Sequence, residues 1–242
     1  MKIGDVELGR IPVVVGIVSD ELKMPVNDVD KIDVLEIRID LFEEQKLPQI
    51  GNIINSIKNT CKKPLIATTR SAAEGGQSQI DDDRRYEIFR SVASVIDAID
   101  VELASSDLIK KVVPLCKEND LLLIASYHNF NETPDEKSLE RLLQRKKQIG
   151  ANILKIAAKA VSKDDVINLL MFTIRNRNEG LITISLGNQG LMSRIINPIY
   201  GSLMTYGFLD KEIPLGAQIS AFDIIKYLCE FDPEYKKKYG TL

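Results

Sequence analysis

Short runs of apolar, β-branched residues recur along the chain, separated by longer stretches with apolar residues at helical spacing. The runs cover residues 13–18, 34–39, 65–69, 98–103, 121–126, 153–157, 181–186 and 203–208. Continuous apolar strands alternating with amphipathic helices imply a parallel sheet covered by helices. Eight such units with no break in composition imply a closed (β/α)8 TIM barrel, one domain over residues 1–242. Residues 2–10, with Gly4-Asp5 and Gly9 as turn signals, predict a small hairpin that closes the barrel floor. Thr133-Pro134-Asp135-Glu136 predicts a helix capped by Thr133, with proline at its first position. Ser162 to Asp165 gives a weaker start signal, Asp81 to Asp83 places three acids at a helix start, and Ser220 caps a last helix running to about Cys229. The polar tail, residues 235–242, predicts a frayed end.

Composition narrows the class. At 242 residues the chain buries enough surface to need no staple. A net charge of −3 gives no sign of nucleic-acid binding. Three widely spaced cysteines without a CxxC fit a reducing cytosol and neither a disulfide frame nor a zinc site. No apolar run approaches the length of a membrane span, and the N-terminus does not begin like a signal peptide. The expectation is a cytoplasmic, soluble protein.

The chemistry starts at Lys155, in the middle of the apolar run Ala151-Asn152-Ile153-Leu154-Lys155-Ile156-Ala157. Burying an ammonium is costly unless its charge is paired or given up. Two readings stand: a lysine that snorkels to water from a strand end, or a Schiff-base lysine. In the second, burial and nearby arginines favour the uncharged amine that attacks a carbonyl. Barrel active sites form where the strands end at their C-termini, so polar residues there matter most. Glu36-Ile37-Arg38-Ile39-Asp40 puts three charges on one face, as a structural ion pair or as binding groups. Arg70 and Glu74 frame a glycine-containing loop, and Asp100-Val101-Glu102 could stand behind the basic groups. His128, the single histidine, follows the fifth strand, either structural or placed to move protons near neutral pH. Gly187-Asn188-Gln189-Gly190 could form a phosphate loop, but residues 209–214 lack a matching glycine-rich cradle. That favours Arg194 as a clamp for a carboxylate.

In this order the motifs resemble type I 3-dehydroquinate dehydratases over nearly the whole chain. Glu36-Ile37-Arg38-Ile39-Asp40 is similar to the family's E-x-R-x-D strand, and Arg70-Ser71-Ala72-Ala73-Glu74-Gly75-Gly76 to its R-S-x-x-E-G-G segment. Tyr127-His128-Asn129-Phe130, Leu154-Lys155-Ile156-Ala157, Ser193-Arg194 and Gln218-Ile219-Ser220 resemble four further segments. The resemblance implies Lys155 as the Schiff-base residue, His128 as general acid and base, and Glu74 as its support. It implies Ser19, Glu36, Arg38, Arg70, Arg194 and Gln218 as substrate-binding residues, a homodimer, the substrate 3-dehydroquinate, and no metal or cofactor. One departure falls in the lid, where the family often carries serine four residues before the glutamine and this chain has Pro214. Proline donates no hydrogen bond, so closure or affinity is expected to differ.

The implied reaction is loss of water from a β-hydroxy ketone. An iminium on Lys155 acidifies the α-proton, and His128 takes it and returns one to the departing hydroxyl. The rivals are a class I aldolase, which would want a phosphate cradle, and a non-catalytic barrel, which would need neither Lys155 nor His128.

Overall fold

The computed structural model describes residues 1–19, 29–77, 79–209 and 219–239. A two-stranded antiparallel hairpin, β1 (Lys2–Ile3) and β2 (Val6–Glu7), comes first. Eight parallel strands follow: β3 (Val14–Val18), β4 (Val34–Arg38), β5 (Leu65–Thr68), β6 (Ala98–Glu102), β7 (Leu122–Asn129), β8 (Ile153–Lys159), β9 (Leu181–Leu186) and β10 (Thr205–Phe208). They pair in chain order, and β10 returns to pair with β3. On the remaining side, the Leu203 N–H donates to the Leu181 carbonyl at 2.7 Å, bringing the sheet to a nearly closed barrel. The eight-unit reading of the hydrophobic pattern is therefore the fold.

Alternation along each strand explains both the core and the site. Residues such as Leu35, Ile37, Leu65, Ile99, Leu123, Leu154 and Ile156 face outward into the layer of helices. The first inward positions are apolar: Val34, Ile66, Ala98, Ile124, Ile153, Ile182 and Met204 pack with Ile3 and Leu8 of the N-terminal segment, which closes the floor as expected. The next inward step changes character, with Glu36, Thr68, Asp100, Ser126, Lys155 and Tyr206 all buried. An apolar plug thus sits beneath a layer of polar groups at the C-terminal half of the barrel.

Caps and ends show where local reading holds. Asp81 caps Asp82–Val92, and Ser220 caps Ala221–Phe231. Ser162 and Asp165 form a full reciprocal capping box on Lys163–Arg175. The helix start after β7 is corrected: the cap of Glu136–Ile149 is Asp135, which accepts from the Ser138 N–H at 2.8 Å, while Thr133 donates to the Lys159 carbonyl instead. The tail is corrected too. Pro233–Tyr239 is a helix whose Tyr235 is fully buried and whose Tyr239 hydroxyl donates to Asp33. Strand β7 runs past its expected end at Ser126, because its ladder with β8 continues through His128 and Asn129. Among the described residues, no helix is long and apolar enough to cross a membrane.

Candidate active site

Lys155 points from the middle of β8 into the polar layer, and only 4% of the residue is exposed. Its Nζ donates to Glu36 Oε1 at 3.0 Å and to Asp100 Oδ2 at 2.9 Å, and it stands 3.9 Å from the centre of the Tyr206 ring. The snorkelling alternative is excluded by that burial. The expected surroundings need correction, however: the groups touching the amine are carboxylates, with Arg70 one step behind them. Burial works to raise the Asp100 carboxyl, but Arg70 and Lys155 override it and hold Asp100 well below the usual carboxylate range. Such pairing is what a buried ammonium requires.

Arg70 closes the back of this layer. Its Nη1 donates to Ser126 Oγ at 2.6 Å and Glu102 Oε1 at 3.1 Å, and its Nη2 lies 3.1 Å from Asp100 Oδ1. Glu102 is shared with Arg85, a fully buried residue of Asp82–Val92. The acids ending β6 are therefore the counter-charges behind the basic groups that the sequence suggested. On β4, Glu36 faces Lys155 and accepts from the Thr68 hydroxyl at 2.9 Å. Arg38 does not pair with Glu36; it forms a two-pronged pair with Asp40, at 2.9 and 2.8 Å.

His128 lies one inward step above the Lys155 level on the neighbouring strand, since Ser126 is the register partner of Lys155. A 3-10 turn, Ala72–Glu74, delivers Glu74 to it. Glu74 Oε2 is 2.9 Å from His128 Nδ1 and accepts the His128 backbone N–H at 2.9 Å. The glycines after Glu74 make this approach possible. A Cβ on Gly76 would stand 2.0 Å from the Arg70 carbonyl oxygen, and Gly75 has φ +87°. Burial pushes the Glu74 carboxyl up to about 7, against the pull of Arg70. Burial, then the charges of Arg70 and Lys155, keeps the His128 imidazole well below its usual value. Near neutral pH the ring is uncharged and able to accept a proton. With Nδ1 directed at Glu74, the other ring nitrogen is the free base.

Arg194, in Ser193–Ile199, is buried, and among the described residues no carboxylate pairs with it. Its Nη1 donates to the Tyr206 carbonyl at 2.8 Å, and its Nε has no hydrogen-bond partner among the described residues. Burial alone brings this guanidinium down to about 10. A buried cation without a counter-charge is a receptor for an anion.

Lys155, His128, Glu74, Glu36, Arg38, Arg70 and Arg194 line one pocket at the C-terminal end of the barrel. Ser19 follows β3 and is partly exposed, but it is not among the residues lining that pocket. Gln218 and the lid around Pro214 lie outside the described residues. Sequence reasoning missed Tyr206 and Phe208, which line the pocket from β10. The signal was there in the alternation Met204, Tyr206, Phe208, but aromatic residues in an apolar strand read as core.

The family model for type I 3-dehydroquinase matches residues 12–232. Curated relatives include the 3-dehydroquinate dehydratase of Thermodesulfovibrio yellowstonii, 35% identical over 220 residues, covering 90% of this chain and 95% of the relative. The 3-dehydroquinate dehydratase of Methanococcoides burtonii is 31% identical over 229 residues, covering 93% and 97%. Among solved structures, a type I 3-dehydroquinate dehydratase from Clostridium difficile superposes with a TM-score of 0.85 at 25% identity, covering 98% of each chain. The 3-dehydroquinate dehydratase from Geobacillus kaustophilus gives 0.82 at 26% identity, covering 96% of this chain and 94% of the other.

Proposed function

The chain belongs to the type I 3-dehydroquinase family, and from that premise we propose that Lys155 forms the imine, His128 moves the protons and Glu74 orients His128. The reaction is the removal of water from 3-dehydroquinate through a lysine Schiff base, giving 3-dehydroshikimate. The observation that carries the assignment is the meeting in one pocket of a buried lysine, a histidine held by Glu74 and a buried arginine with no carboxylate partner among the described residues.

Each residue has a task matched to its surroundings. Lys155 loses its ammonium proton to His128, the free amine attacks the C3 carbonyl, and the protonated His128 releases the carbinol oxygen as water, leaving an iminium. The iminium draws electrons from the neighbouring carbon, so its α-proton becomes removable. The free nitrogen of His128 takes that proton and returns one to the departing hydroxyl, while Glu74 steadies the transient imidazolium. Arg194 binds the substrate carboxylate, and Glu36, Arg38 and Arg70 bind or position the ring oxygens. Gln218 and Ser19 are assigned to substrate by family resemblance alone.

The chain is further read as a single barrel domain that works as a homodimer in the cytoplasm. Support for the dimer comes from exposed apolar side chains on three helices that neighbour one another: Ile167 and Met171, Tyr200 beside the short helix Ser193–Ile199, and Tyr227 and Phe231.

Borohydride trapping with 3-dehydroquinate tests the site. The expected result is a reduced adduct, by intact mass, on the peptide containing Lys155, and none in Lys155→Met. Turnover retained by Lys155→Met, or an adduct on another lysine, would remove the assignment.

A further inference from the structure

One polar atom in the pocket has no task in the reaction as assigned. The Tyr206 hydroxyl is buried and has no hydrogen-bond partner among the described residues, although the residue lines the pocket and its ring faces the Lys155 Nζ at 3.9 Å. A buried hydroxyl left unpaired destabilises the folded chain, so its presence in a reaction pocket asks what pairs with it. Phe208, the next inward residue of β10, presents a bare ring to the same pocket. The tyrosine is also fixed against the group assigned to the substrate carboxylate, since its carbonyl accepts from Arg194 Nη1 at 2.8 Å. Burial, with Glu36 and Asp100 against Arg70, holds the phenol well above its usual value, so it remains a donor across the working pH range.

The substrate is a polyhydroxylated ring, joined to Nζ through the imine carbon. The substrate hydroxyl nearest that nitrogen is the one on the carbon beside the imine, and the Tyr206 ring lies against the same nitrogen. Resting on the assignment of this pocket to 3-dehydroquinate, we propose that the Tyr206 hydroxyl is a specificity-determining group, donating a hydrogen bond to the substrate hydroxyl beside the imine carbon. Substrate would then supply the partner that the free enzyme lacks. A site built this way rejects an analogue without the hydroxyl, because the buried donor is again left unpaired.

The test is Tyr206→Phe, which removes one oxygen and keeps the ring. The expected result is a fall in kcat/KM of about 10- to 100-fold, the cost of one buried hydrogen-bonding group left unpaired, carried mainly by KM. The melting temperature of the unliganded protein should hold or rise, because an unpaired group has been removed. An analogue lacking the adjacent hydroxyl should be a poorer substrate for the native enzyme by a similar factor and show no further loss with the variant. A kcat/KM within twofold of native, a loss confined to kcat, or a loss accompanied by a lower melting temperature would each overturn the proposal. Borohydride trapping at saturating substrate separates the two levels. Trapping on Lys155 in both proteins with unchanged kcat/KM sinks only the role of Tyr206, whereas no trapping in the native enzyme sinks the assignment of the pocket itself.

Discussion

At the scale of single residues, the pair His128 and Glu74 sets the pH behaviour. The Glu74 carboxyl titrates at about 7 in the fold, against an ordinary value of 4.5, because it is buried. A raised carboxyl takes up its proton early as pH falls, so support for the imidazolium is lost below about pH 7. The imidazole itself, held low, stays unprotonated to more acidic pH. The acid limb of kcat/KM therefore belongs to Glu74. In Glu74→Gln that limb should vanish, leaving a rate lower by about 100-fold that is flat around neutrality; a limb that persists would assign it elsewhere. The stability effect has the opposite sign. Ionising a group whose folded value is raised costs stability as pH climbs from 4.5 to about 7. The glutamine stands in for the protonated form and should gain up to about 3 kcal/mol at pH 8, read from denaturant midpoints. Replacing His128 with alanine should cost about 10²- to 10⁴-fold in turnover and let the Lys155 adduct accumulate, because imine hydrolysis also needs proton transfer. Near-native turnover would place the base elsewhere. Most of these residues were legible from their types and order, but their partnerships were not. Alternation put Glu36, Arg38 and Asp40 on one face and left their partners open; in the structure Arg38 turns to Asp40 and leaves Glu36 to Lys155. Sequence alternation gives the face of a residue, not which of two acids within reach it will choose.

At the scale of elements, the turn after β5 matters most, because it carries Glu74 across to β7. Gly76 donates its N–H to the Ser71 carbonyl at 2.8 Å and lies so close to the Arg70 carbonyl that any Cβ would collide with backbone. Gly76→Ala should force the turn open and withdraw Glu74 from His128, lowering turnover at least as far as Glu74→Gln. It should also destabilise the fold by about 1–3 kcal/mol through strain. Native activity in that variant would show that the turn is not what positions Glu74. Strand order and most caps could be read from the sequence, because apolar runs and Asp or Ser before a helix act locally. Two boundaries could not. Thr133 and Asp135 both satisfy the rules for a cap, and the choice falls to Asp135 because Thr133 is taken by the Lys159 carbonyl. The extension of β7 through His128 likewise depends on its pairing with β8, which lies far away in sequence.

For the molecule as a whole, chemistry and stability sit at opposite ends of the barrel. The pocket opens where the strands end, while the floor is closed by the N-terminal hairpin and braced by the C-terminal helix Pro233–Tyr239. That helix was read as a frayed tail because five of its seven residues are Glu, Lys or Pro, and a single apolar anchor leaves little periodicity to detect. The anchor is Tyr235, fully buried among the main core. The second hold is Asp33 at the start of β4: its carboxylate accepts the Val14 N–H at 2.8 Å and the Tyr239 hydroxyl, tying the helix to the bottom of β3. Tyr235→Ala should cost about 3–5 kcal/mol, the usual loss for an aromatic side chain removed from a core. For a chain of this size that is a fall in melting temperature on the order of 10 °C. Tyr235→Phe provides the control. The Tyr235 hydroxyl is buried without a partner among the described residues, so deleting it should leave the melting temperature unchanged or higher. Both variants, assayed well below their melting points, should keep native kcat/KM, since no residue of the helix lines the catalytic pocket. An alanine variant that melts with the native protein would mean that the helix contributes nothing to the floor. One that stays folded but loses turnover would mean that the two ends of the barrel are coupled.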